Sequence, residues 1–95
     1  MIVFRKRFLN KALKLDKYLR EEFGLIVAEH FLDNIERTTR LLEAYPELGR
    51  QTKVHGIRSK LIPPYVRIYY TIKKGNIEVL NMYDMRQAPI KNIYE

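Results

Sequence analysis

The side chains best suited to phosphate chemistry lie in the second half of the chain. They are Arg58 and Lys60, then Arg67 with Tyr69, then Arg86. A guanidinium binds phosphate oxygens through paired hydrogen bonds and stacks on bases, and a tyrosine ring adds a stacking surface. Such a set suits RNA. It also suits the charge that develops when a ribose 2′-OH attacks its neighbouring phosphate, with arginine holding the phosphorane oxygens while a base takes the proton. No histidine is well placed for that base, so a lysine or tyrosine would need help from nearby positive charge. Each residue also has a structural reading. Arg58 can pair with Glu47 or Glu78, Arg67 can blunt an edge strand, and Asp84 and Arg86 can neutralise each other.

Two β-rich runs must position these groups. In Ile57 to Ile62, the residues Ile57, Ser59 and Leu61 share one side, and Arg58, Lys60 and Ile62 the other. In Tyr65 to Lys73, Val66, Ile68, Tyr70 and Ile72 alternate with Tyr65, Arg67, Tyr69 and Thr71. Lys74-Gly75-Asn76 can supply the positive φ angles of a hairpin turn. The run from Ile77 to about Tyr83 is apolar on both sides, Ile77 and Val79 against Leu80 and Met82, as a strand covered on both faces would be. Alternation then sets Arg58, Lys60, Arg67 and Tyr69 on one face, opposite Val66/Ile68/Tyr70/Ile72, with Arg86 arriving from beyond the last strand. A one-residue slip would exchange the faces.

Upstream, Ile2-Val3-Phe4 reads as a short first strand. Phe8, Leu9, Ala12, Leu13, Leu15, Tyr18, Leu19 and Phe23 recur at helical spacing, and Gly24 ends that helix. Ile26, Val27, Phe31, Leu32, Ile35, Thr38, Thr39, Leu42 and Tyr45 mark a second helix, stopped by Pro46. The expected architecture is α+β: an N-terminal helical hairpin packed on a small, mainly antiparallel sheet, in one domain spanning 1–95. Lys11, Lys14, Lys17 and Arg20 form a basic stripe on the first helix, more naturally solvated than bound.

The composition narrows the partners. Eighteen Lys and Arg against eleven Asp and Glu give a net charge of +7, which favours a polyanion or an acidic protein segment. The chain has no cysteine, so thiolate chemistry and disulfides are excluded; His30 and His55 stand at no ligand spacing, and neither metal nor cofactor is expected. No apolar run approaches the roughly 20 residues of a membrane span, and a cytoplasmic protein is expected.

Tyr65-Val66-Arg67-Ile68-Tyr69-Tyr70 and Asp84-Met85-Arg86-Gln87-Ala88-Pro89, with the Tyr45-Pro46-Glu47-Leu48-Gly49 loop and the Gly56-Ile57-Arg58 strand start, resemble the RelE/ParE superfamily of type II toxins. The resemblance runs nearly the whole length and implies that toxin fold. It also implies growth arrest and a cognate acidic antitoxin, within a higher-order toxin–antitoxin complex. RelE-like members are ribosome-dependent mRNA endonucleases (metal-independent mRNA interferases). On that pattern Arg67 and Arg86 match two sheet arginines, Arg58 and Lys60 the basic pair on the preceding strand, and Tyr94 the C-terminal tyrosine, at longer spacing. ParE-like members instead inhibit DNA gyrase, and the long hairpin and the Tyr-Pro-Glu-Leu-Gly loop look more like that branch. The resemblance thus implies mRNA cleavage first, gyrase inhibition second, and an inactive antitoxin-binding, co-repressing module third.

Overall fold

The computed structural model describes residues 1–86 and 92–95. Strand β1 (Ile2–Phe4) leads into helices α1 (Lys6–Phe23) and α2 (Leu25–Ala44), and a 3-10 turn (Pro46–Leu48) follows. Four strands complete the order: β2 (Arg50–Gln51), β3 (Ile57–Ile62), β4 (Val66–Lys73) and β5 (Asn76–Asp84). They form one sheet in the order β1-β5-β4-β3-β2, with β1 parallel to β5 and the other pairings antiparallel. The α+β expectation holds. β2 went unread because two residues carry no periodicity.

A single residue, Gly24, joins the helices, at φ +93°, where a side chain would be strained. The helices pack on one another and on one sheet face. The stripe they bury is narrower than the apolar content of the helices. From α1 it takes Phe8, Ala12, Leu15 and Leu19, and from α2 Ala28, Phe31, Ile35 and Leu42. Both sets follow the three- and four-residue steps of one helix face. Leu13, Phe23, Leu25 and Ile26 remain exposed, Ile26 at 72%.

Ile62, Val66, Ile68, Tyr70, Ile77, Val79 and Met82 form the sheet side of that core. Strict alternation would part Met82 from Ile77 and Val79. A register shift between Tyr69 and Tyr70 reunites them: Tyr69 pairs with Asn81 but Tyr70 with Val79, so Leu80 is the extra residue of a β-bulge. At the hairpin, Lys74 (φ +50°) and Gly75 (φ +80°) both take positive φ between the paired Lys73 and Asn76, as a type I′ turn requires.

Candidate functional site

The five basic and aromatic positions singled out in the strands and just beyond them do not share one cleft. Residues directly opposite in an antiparallel pair share a face. Arg58 pairs with Tyr70 and Lys60 with Ile68, whereas Arg67 pairs with Leu61 and Tyr69 with Ser59. Arg58 and Lys60 therefore lie on the helix-bearing side and Arg67 and Tyr69 on the other. The alternation within each strand was right, but the relative phase of the two strands was not. That phase is fixed by the tight β3–β4 connection, which sets Ile62 opposite Val66.

Arg58 is occupied by the loop before β2. Its Nη1 donates to the carbonyls of Gly49 (2.8 Å) and Glu47 (3.2 Å), and its Nη2 lies 4.0 Å from the Glu47 carboxylate. The same loop is held by Tyr70, whose hydroxyl donates to Pro46 O (2.7 Å) and accepts the Gly49 N–H (2.9 Å). Burial pushes the Tyr70 phenol pKa up.

On the open face, Arg67 donates to Ser59 Oγ at 2.8 Å. Beside it the chain covers its own aromatic surface. Tyr94 stacks on Tyr69 with ring centroids 4.5 Å apart, and Tyr83 meets both rings edge-on. The Tyr69 hydroxyl donates to Glu95 Oε2 (3.1 Å) and accepts from Asn92 Nδ2 (2.9 Å), while Arg50 pairs with the same carboxylate at 2.6 Å. Tyr69 is 0% and Tyr94 6% exposed, and burial raises the Tyr69 pKa. Tyr94 sits in a turn rather than on a helix, and its ring is a packing surface for the sheet.

Arg86 belongs to a third place. It is clamped to Asp84 through Nε (3.1 Å) and Nη2 (2.7 Å), and its guanidinium lies 3.7 Å from the Tyr65 ring centroid. The Arg86 hydrogen bonds hold the Asp84 carboxyl below the usual range. This pair ends an open groove of about 740 Å³ between α1 and β5, lined also by Lys11, Lys14, Leu15, Tyr18, Met82 and Tyr83. Lys11 Nζ donates to Met82 O (3.1 Å) and lies 3.8 Å from the Tyr83 ring centroid; burial, then the charge of Arg7, lowers its pKa. The sequence reading had left Lys11 in a solvated stripe. Its clue was the i, i+3, i+7 spacing of Lys11, Lys14 and Tyr18, which puts them on one helix face. The Gln87-Ala88-Pro89 end of the arginine motif lies outside the described residues.

Three clusters thus replace one cleft. Arg58 braces a loop, Arg67 and Tyr69 lie beside or beneath the final residues, and Arg86 faces the α1 groove with its charge already paired. Among the described residues, no helix is long and apolar enough to cross a membrane.

The family model for the ParE toxin of type II toxin–antitoxin systems, parDE, matches residues 2–89. No curated protein matches the chain at the sequence level. Among solved structures, the chromosomal ParDE system from P. aeruginosa is similar at TM-score 0.75 and 13% identity, over 88% of this chain and 94% of that one. A YoeB/ParE toxin from Agrobacterium tumefaciens gives 0.64 and 15% over 87% and 95%, and the YoeB-YefM complex from Staphylococcus aureus 0.60 and 17% over 86% and 92%. At these identities the likeness speaks for the fold.

Proposed function

Because the chain belongs to the ParE toxin family of type II toxin–antitoxin systems, we propose that it arrests growth by binding and inhibiting DNA gyrase, and that a cognate antitoxin neutralises it. Cleaving an RNA phosphodiester calls for a base at the 2′-OH and cations at the phosphorane oxygens, all within hydrogen-bond reach of one phosphate. The observation that carries the reading is the opposite placement of Arg58/Lys60 and Arg67/Tyr69 across the sheet. Reinforcing it, Tyr94 is stacked into the open face and Arg86 is neutralised by Asp84. A toxin that acts by docking on a protein needs no such convergence. The exposed apolar residues at the helix–helix turn, Phe23 (55%), Leu25 (54%) and Ile26 (72%), suit a protein target.

The test is growth arrest by the double variant Arg67→Ala/Arg86→Ala, with its fold checked by circular dichroism. Arrest as strong as with the unaltered chain is expected. A folded double variant that no longer arrests growth would overturn the gyrase reading in favour of mRNA cleavage.

A further inference from the structure

Two turns at one end of the sheet carry cations that nothing nearby compensates. The β2–β3 turn holds Lys53 and His55, and the β4–β5 turn holds Lys73 and Lys74, all of them exposed. Strand register sets the turns side by side: Ile57 pairs with Thr71, whose hydroxyl donates to Gly56 O at 2.8 Å. Both backbones are fixed. The Thr52 hydroxyl accepts the Val54 N–H (3.1 Å) and donates to Ile57 O (2.9 Å), and the Lys53 N–H reaches Tyr94 O (3.3 Å). Lys74 and Gly75 hold the other turn at positive φ. The carboxylates closest by are already spent: Glu78 lies between Arg5 (2.9 Å) and Lys73 (3.8 Å), and Glu95 pairs with Arg50. Lys53 and Lys74 have no ion pair among the described residues.

This end lies away from the exposed apolar residues of the helix–helix turn. Helix α1 runs along β5 from Arg5, bonded to Val79 O, past Lys11, bonded to Met82 O, to Tyr18 in the groove with Arg86. Helix α2 returns, and Glu43 comes within 3.7 Å of the Met1 nitrogen, next to Ile77. Phe23, Leu25 and Ile26 therefore lie toward one end of the molecule and the lysine turns toward the other. We propose that the paired turns are a contact site for the phosphate backbone of duplex DNA, with Lys53, Lys73 and Lys74 as its cations and His55 as a further hydrogen-bond donor. Unpaired bases are held by stacking, and neither turn carries a Tyr or Phe to stack on. The two hairpins are centred two interstrand steps apart, roughly 10 Å. Flexible lysines at that separation can meet phosphates on both strands across a minor groove about 6 Å wide. Gyrase works on DNA, so a chain docked on it by the apolar end would turn its basic end to the DNA. That use rests on the gyrase reading, whereas the DNA site does not.

The probe is a labelled DNA duplex of about two helical turns, titrated with the full chain and followed by fluorescence anisotropy. Saturable binding is expected. With three phosphates neutralised, affinity should fall roughly 40-fold between about 50 and 200 mM salt. Lys53→Gln/Lys74→Gln should weaken binding about tenfold or more at the lower salt and reduce the salt slope by about two. Lys14→Gln/Lys17→Gln removes the same charge from α1 and should leave the affinity nearly unchanged, with the fold of both variants checked by circular dichroism. Equal losses in the two variants would mean that net charge alone holds the DNA, and would overturn the proposal. So would an unaffected Lys53/Lys74 variant, or tighter binding of a single-stranded oligonucleotide or of polyglutamate than of the duplex. Absence of gyrase inhibition would leave these titrations as they are, so the site and the gyrase reading fail separately.

Discussion

Tyr70 and Gly49 depend on one another. The phenol accepts the Gly49 N–H and donates to Pro46 O, and a Cβ built at position 49 would fall 2.5 Å from that phenol oxygen and 2.6 Å from Ser59 O. Tyr70→Phe would strand a donor and an acceptor beside the core, at a cost of about 1–3 kcal/mol in chemical denaturation. Gly49→Ala must move β3 backbone as well as the ring, and overpacking of this kind costs about 1–3 kcal/mol. Asp84 supplies a pH dependence. Its carboxyl pKa is depressed in the fold, so its contribution is complete above the ordinary carboxylate pKa of about 4 and is lost as pH falls below it. Asp84→Asn should flatten that part of the acid limb of stability measured by urea unfolding, and an unchanged limb would refute the assignment. Sequence reading found the Asp84–Arg86 and Arg58–Glu47 pairs as structural alternatives, because oppositely charged neighbours are visible in one dimension. It set Tyr70 in the alternating row with Val66, Ile68 and Ile72 and gave it no partner, because Pro46 and Gly49 are joined to it only by the fold.

At the scale of elements, periodicity located the helices, the hairpin turn and the alternation inside each long strand. It did not give the phase between β3 and β4, which moved Arg58 and Lys60 to the helix-bearing face. Nor did it reveal the Leu80 bulge, which brings Met82 into the core beside Ile77 and Val79. Both are properties of pairing, and a single strand read alone has no phase. Residues 92–95 carry another element-scale consequence. They bury Tyr94 against Tyr69 and place Glu95 on Arg50 and on the Tyr69 hydroxyl. Removing them should destabilise the fold by about 2–4 kcal/mol, from one large buried ring and its hydrogen bonds. The chain has no tryptophan, so tyrosine emission reports directly, and iodide quenching should rise as Tyr69 becomes accessible. Unchanged quenching and stability would mean the stack does not hold in solution.

For the whole molecule, the resemblance of the sequence motifs was enough to place the chain among toxins of this family, while the target proposed above rests on how the fold distributes the basic residues. The sheet separates them: one set braces the loop after α2, one lies on the open face, and one rims the α1 groove. Among the described residues, the basic groups singled out do not converge on a single point where a phosphate would meet its base and its cations together. The most direct measurement is made on purified components. The chain is added to DNA gyrase with relaxed plasmid and, in parallel, to translating ribosomes with a defined mRNA. Gyrase inhibition predicts lost supercoiling or accumulated cleaved plasmid in the first reaction and intact mRNA in the second. Codon-specific mRNA cuts with gyrase unaffected would contradict it.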